Sequence, residues 1–371
     1  MIDNEPETEW LIQYTPPVDR HELDQVQDML RAHQPFVSGV FFNDPYEVVS
    51  YLPRQLIWGE EYCLLVDRNV VTRWTRLVRG HVPLDHDRLA AAAMLFAQAA
   101  DLLIEPGIAF YEITGIATPA EINQELEEFY IAQDAEPQTW ADVALRHSDT
   151  LALQPGEIRP PRKDVDLSVP LYMWRRSYVL ALKIAELHLL GGRPEYLMMR
   201  FLEWMYNDFL LGGVAVQLAS YYFAPGSRRK RLLKSIESPD RKRALKGIRN
   251  AAWDLTLISE WLRRVKRSMA DASSKQCWIL CTFDESLRQM AQGAVSFDEY
   301  QNDLGLLEQT FAKVWNSEAA ARLATILHRY QSDLGNPLRQ VNHDPKGDEI
   351  DRLIELGEQT ILEWKPRGGS A

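Results

Sequence analysis

The sequence predicts a mixed α/β protein whose parallel sheet is interrupted by a long helical stretch. Three observations carry this. The apolar runs Tyr62–Val66 and Gln276–Cys281 each read as a buried strand that ends near an acidic residue, Asp67 or Asp284. Helix-period patterns follow both runs, the alternation expected of βα units. Between them, from Pro119 to Lys246, the apolar spacing is helical and no strand-like alternation of any length occurs.

Taken in order, residues 1–60 form an N-terminal extension with an acidic start, a helix over His21–Ala32 and an apolar run at Val37–Phe42. After the Tyr62–Val66 strand and Asp67, the residues Val70, Val71, Trp74, Leu77 and Val78 fall on one face of a helix. Leu89–Ala100 is Ala-rich and helical, Leu102–Ile104 is a short second strand, and Pro106-Gly107 opens a helix through Glu112. Two βα steps so close together are the spacing of a parallel sheet. Residues 119–245 are a helical insertion, with helices over Glu121–Gln133, Leu171–Leu190 and Glu195–Phe223, and a loop marked by Pro155, Pro160, Pro161 and Pro170. The α/β pattern resumes in a stripe of Ile248, Ala251, Leu255, Ile258, Leu262 and Val265, then the Gln276–Cys281 strand, a helix over Glu285–Gln292 and a short strand over Ala294–Phe297. Residues 298–371 are helical and charged, with a disordered tail from Pro366. The predicted core is therefore discontinuous, 61–118 with 246–297.

At 371 residues, 46% hydrophobic and 25% charged, the chain has the composition of an ordinary folded protein with room for two or three domains. Its three cysteines, Cys63, Cys277 and Cys281, lie in or beside buried runs, and no histidine stands at zinc-finger spacing, so neither a disulfide framework nor structural zinc is expected. The acidic N-terminus does not resemble a signal peptide, and the apolar Phe209–Phe223 run is shorter than the roughly 20 residues a membrane span needs. A cytoplasmic protein without a membrane partner is the expectation.

Net charge is −12, but Ser227–Asn250 carries ten basic residues against two acidic, a local +8. Such segregation points to a polyanion docking on one stretch, with Arg228, Arg229, Lys230, Arg231, Arg241, Lys242, Arg243 and Lys246 as its phosphate contacts. The plainer reading is a solvated helix and loop face.

In open parallel sheets, sites form beyond the carboxyl ends of strands. Asp67 and Asp284 lie there, Glu112 is on the helix after the second strand, and Asp254 sits at the edge of the buried stripe before the Cys277 strand. The segments Leu64-Leu-Val-Asp67-Arg-Asn69, Pro106-Gly-Ile-Ala-Phe-Tyr-Glu112, Asn250-Ala-Ala-Trp-Asp254 and Thr282-Phe-Asp284 follow in an order that resembles a PIN-like ribonuclease domain. The likeness covers Glu61–Thr118 and Lys246–Phe297, and the long helical insertion departs from a compact member of that family.

The resemblance implies a three-layer α/β/α core with a central parallel sheet. It also implies Asp67, Glu112, Asp254 and Asp284 as catalytic and metal-binding acids, with Asn69, Thr282 and Asn250 behind them. The implied activity is a metal-dependent endoribonuclease, a toxin or defence effector among its roles, acting on nucleic acid with RNA preferred to DNA and regulated by a protein inhibitor through the helical insertion. Clustered carboxylates repel one another unless a cation is present, and oxygen-only ligation suits Mg²⁺ or Mn²⁺.

Each residue also has a plainer reading. Asp67 and Asp284 suit helix N-caps, Glu112 a solvated helix position with Glu105 as its alternative, and Asn69 and Thr282 ordinary turns. A haloacid-dehalogenase-type phosphatase would need an acid where Asn69 stands. The remaining alternative is a non-enzymatic interaction module on a degenerate α/β core, its helical insert, with Trp174, Trp204, Tyr206, Tyr221 and Tyr222, binding a partner protein; helical spacing places those aromatics in a core more readily.

Overall fold

The structure is a computed structural model that describes residues 14–39, 44–153, 167, 171–226, 232–271, 273–299, 303–334 and 345–365. Part of the Val37–Phe42 run, the four loop prolines, Arg228, Arg229, Lys230 and Arg231, and the tail from Pro366 lie outside these residues. The fold is mixed α/β, and the chain divides into two compact units, Met1–Val165 with Val265–Phe283, and Asp166–Arg264 with Asp284–Ala371.

The first unit contains α1 (Arg20–His33), β1 (Phe36–Ser38), α2 (Leu52–Trp58), β2 (Glu61–Val66), α3 (Arg68–Val78), α4 (Asp85–Ala99), β3 (Leu103–Glu105), α5 (Gly107–Tyr111), α6 (Pro119–Asp134), α7 (Pro137–Ala144) and, late in the chain, β4 (Gln276–Cys281). Its sheet has the order β1-β4-β2-β3. β2 pairs in parallel with both β3 and β4, as the βα spacing predicts, but β1 runs antiparallel to β4, so the sheet is mixed. The β2–β4 register sets Val66 opposite Cys281, which brings the residues that follow, Asp67 and Thr282, side by side.

β2 is buried from Tyr62 to Val66, the continuous apolar run of a strand covered on both faces. α4 is buried along nearly its whole length, Asp87 through Ala97, because it packs against α1, α3 and α7. Its alanines permit that close approach, and Phe96 adds ring contacts to Phe36 and Tyr51. The two fully buried indoles of this unit are satisfied: Trp74 donates to the Ala90 carbonyl (2.7 Å) and Trp140 to the Ala132 carbonyl (3.2 Å). α6 and α7, which the sequence reading placed in the helical insertion, pack on α3 and α4 within this unit.

The second unit is helical among the described residues: α8 (Tyr172–Leu190), α9 (Pro194–Asp208), α10 (Gly213–Phe223), α12 (Glu285–Glu299), α13 (Leu304–Ala312), α14 (Ser317–Leu334) and α15 (Asp348–Glu363). The long helix α11 (Arg241–Ala270) belongs to it up to Arg264. Two expectations are corrected here. The helix expected over Glu195–Phe223 is two helices, because Phe209 leaves helical backbone (φ −144°, ψ −148°) and its ring folds back to stack on Trp204 at 5.0 Å. The strand expected over Ala294–Phe297 is part of α12: Ala294 continues the stripe of Leu287, Met290 and Ala291, all buried, so helical phase explains its apolarity without a strand. No helix is long and apolar enough to cross a membrane among the described residues.

Close helix packing in the second unit depends on Gly247, where a Cβ would fall on the main-chain carbonyl of Lys234. Gly→Ala within a helix ordinarily gains about 1 kcal/mol. Here the clash is with backbone, so Gly247→Ala is expected to cost a net 1–3 kcal/mol, on the order of other overpacking changes. A lower urea midpoint confirms this; an unchanged or higher midpoint contradicts it.

Candidate active site

Asp67 follows β2 directly, its main-chain N–H donating to the Cys281 carbonyl (3.0 Å), which ties the turn to the end of β4. It occupies the N-cap position of α3, yet its side chain makes no capping hydrogen bond. Instead Oδ2 accepts from Thr282 Oγ1 at 2.7 Å and from Asn69 Nδ2 at 2.5 Å. Asn69 in turn uses its Oδ1 to accept the Phe283 N–H (3.3 Å), so one amide joins the two strand ends. The plain capping role does not describe Asp67: the residue is buried, and its carboxylate is held by Asn69 on α3 and by Thr282 just beyond β4.

Glu112 caps the carboxyl end of the short helix α5 and is half-buried. Its carboxyl accepts no hydrogen bond among the described residues, and burial together with the negative charge of Asp67 pushes its pKa up to about 7, only partly opposed by the Arg68 guanidinium. The structure therefore brings Asp67 and Glu112 into electrostatic contact within one unit. Glu105, the alternative, is committed locally, its Oε1 accepting the Gly107 N–H at 2.9 Å.

Asp254 and Asp284 belong to the other unit. Asp284 caps α12, with Oδ1 accepting from the N–H groups of Ser286 (2.8 Å) and Leu287 (3.2 Å). Asp254 is half-buried on α11 next to the buried Leu255, and Asn250, one turn earlier on that helix, is exposed. Of the basic segment, Lys242, Arg243 and Lys246 are exposed on the first turns of α11. Arg241 is not offered to solvent in the same way. Its guanidinium donates to the carbonyls of Ile361, Ile236 and Ser238 and lies over the Trp364 ring at 4.7 Å. Burial lowers its pKa, and this arginine ties α11 to the end of α15.

Two groups escaped the sequence reading. Arg68 follows Asp67 and forms a partly buried ion pair with Glu125 on α6, both Glu125 oxygens lying 2.7 Å from Nη2. Thr75 Oγ1 donates to Glu125 as well (3.1 Å). Nothing in the spacing of these residues marks them; only the packing of α6 on α3 does. Elsewhere in this unit, Glu22, Asp142 and His147 place possible ligand atoms within 4.8 Å of one another. Gln138 Nε2 already bridges Glu22 (3.0 Å) and Asp142 (3.1 Å), which accounts for the approach of the two carboxylates.

No protein-family model, curated protein or solved structure matches the chain.

The raised Glu112 pKa makes stability depend on pH. The folded chain holds this proton up to about pH 7 and the unfolded chain only to about 4.5, so stability falls as pH rises between those values. Allowing for water around a half-buried group, the loss is about 1–3 kcal/mol. Glu112→Gln removes it: the variant is expected to unfold at higher urea than wild type at pH 8 and at the same urea at pH 4. A pH-independent difference would contradict the assignment.

Proposed function

We propose that the first unit carries a divalent-cation site for phosphodiester hydrolysis, with Asp67 and Glu112 as its acids and nucleic acid, RNA in preference to DNA, as its substrate. The observation that carries this reading is the conflict between the two carboxyls. Asp67 is fixed beyond the end of β2 while Glu112 holds its proton to near neutrality, an arrangement that a cation relieves by displacing the proton. An oxygen-only donor set suits Mg²⁺ or Mn²⁺. Such an ion, when bound, neutralises phosphate charge and lowers the pKa of a water nucleophile.

The chain's own contribution is positional. Thr282 and Asn69 hold Asp67 Oδ2, leaving its carboxylate no freedom to turn into a helix cap. Glu112 supplies the second carboxylate once it has lost its proton. The PIN-like assignment belongs to this proposal. Its support is the parallel pairing of β2 with β3 and β4, the helices α3 and α5 that follow β2 and β3, and the order of the acids along the chain. Asp254 and Asp284 enter by that order alone.

The test combines metal binding with cleavage. Mn²⁺ calorimetry on the full chain is expected to show binding that strengthens as pH rises through about 7, the Glu112 value. Asp67→Asn is expected to abolish both binding and cleavage of single-stranded RNA, with the fold retained. Asp254→Asn and Asp284→Asn, assayed alongside, report whether those acids take part. Cleavage that persists in excess chelator overturns the reading.

A second measurement addresses the basic stretch. Counterion release makes phosphate contacts salt-dependent, so reversing Lys242, Arg243 and Lys246 to Glu is expected to weaken RNA binding and flatten its dependence on salt. Because Arg241 is built into the fold, it is left unchanged in this variant. An unaltered slope excludes these residues from the docking path.

A further inference from the structure

The second unit holds a cavity of about 610 Å³, lined from the start of α9, the end of α10 and the turn that joins α13 to α14. That volume falls within the roughly 300–1,000 Å³ of small-molecule sites. The lining is mainly apolar, and two of its residues are aromatic side chains held from behind. Trp315, 5% exposed, donates Nε1 to Ser220 Oγ at 2.9 Å, which fixes the indole and leaves its carbon surface to line the cavity. Tyr196 comes from α9 and is 51% exposed. Arg200, one turn further along that helix, donates Nη1 to its hydroxyl at 3.0 Å and sets its guanidinium carbon 5.8 Å from the ring centre, so this aromatic wall is restrained as well. Met199, also lining the cavity, adds an unbranched thioether that adapts to a ring laid against it.

Three charged residues share this lining, Arg193, Glu195 and Arg322. Two of them neutralise each other: the Glu195 oxygens accept from Arg322 Nε and Nη2, while Nη1 of the same guanidinium goes to Glu318. Arg193 is left over. It stands exposed at the N-cap position of α9, and its side chain makes no hydrogen bond or ion pair among the described residues. Its charge reaches Glu195, but that carboxylate is already taken by the fork of Arg322. A solvated arginine is ordinary on a protein surface; this one lies at the mouth of a cavity with aromatic walls, and it is the charge there that no neighbour offsets.

We propose that this cavity binds a planar aromatic carboxylate, with its ring against Trp315, Met199 and Tyr196 and its carboxylate on the Arg193 guanidinium. Offset or edge contacts with the two restrained rings favour a flat aromatic body, and the arginine fork matches a carboxylate through two parallel hydrogen bonds. A small inorganic anion would leave the apolar walls wet, and an uncharged aromatic would leave Arg193 unused. Only a ligand with both parts meets both features of the lining. The site lies wholly in the second unit, so it stands or falls independently of the acids Asp67 and Glu112 in the first.

The two halves of the ligand separate in experiment. The probes are 2-naphthoate and its uncharged counterpart 2-naphthylmethanol, titrated by calorimetry into the full-length wild type, Arg193→Gln and Tyr196→Ser. Wild type is expected to bind the acid at least tenfold more tightly than the alcohol, a comparison that needs no substitution. Arg193→Gln is expected to weaken the acid at least fivefold and to leave the alcohol within twofold, because only the charge contact is lost. Tyr196→Ser is expected to weaken both ligands at least threefold, because it removes an apolar wall common to them. Both substituted side chains are exposed, so the variants are expected to keep the wild-type urea midpoint, which is measured alongside. A wild type that binds neither probe overturns the proposal, as does one that binds acid and alcohol equally. Unchanged affinity for the acid in Arg193→Gln, or for both probes in Tyr196→Ser, overturns it too.

Discussion

The candidate site depends on one pairing, the parallel register of β2 with β4. Val66 opposite Cys281 places Asp67 beside Thr282 across 215 residues of sequence, and the short hydrogen bond between them takes the carboxylate out of its local capping role. A slip of one residue would turn Thr282 to the other face of the sheet and leave Asp67 to cap α3. The register is strongly specified because both strands are buried and every apolar side chain from Tyr62 to Val66 has a place to fill. Asn69 reinforces it by bonding to both strand ends.

From that fixed carboxylate the local electrostatics follow. Glu112 sits close enough to Asp67, and far enough from water, that ionisation is disfavoured until about pH 7. Arg68 would be the natural counter-charge, but Glu125 on α6 draws it away, and the acid pair is left with a partial and not a full neutralisation. Packing of α6 against α3 thus tunes chemistry at the end of β2 without touching either acid. Buried ion pairs contribute little net stability in general, and their value here lies in where they direct charge.

The element pattern was legible where local periodicity is strong. The helices α1, α3 and α4, the strands β2 and β4, and the βα order around Asp67 and Glu112 all lie where the sequence places them. It misled where two structures share one local pattern. Ala294 is apolar in either a strand or a helix, and only its phase with Leu287 and Met290 decides between them. The break near Phe209 has a local signal in Gly212-Gly213, at which α10 starts, while the stacking of Phe209 on Trp204 is a contact that only the folded chain makes.

By itself, then, the sequence determined the mixed α/β class, the two strands that carry the sheet centre, and the acidic and amide residues clustered at their ends, because strand and helix periods and turn chemistry are local properties. The tertiary structure alone decided that β1 lies antiparallel on β4, that Asp67 is bonded to Thr282 while Asp284 serves as a helix cap, and that Arg241 is a structural tie. It also brought Arg68 and Glu125 together. These outcomes depend on register and on helix packing between residues far apart in the chain, and the energy of a hydrogen bond or an ion pair depends on the burial its neighbours create, which no stretch of sequence contains.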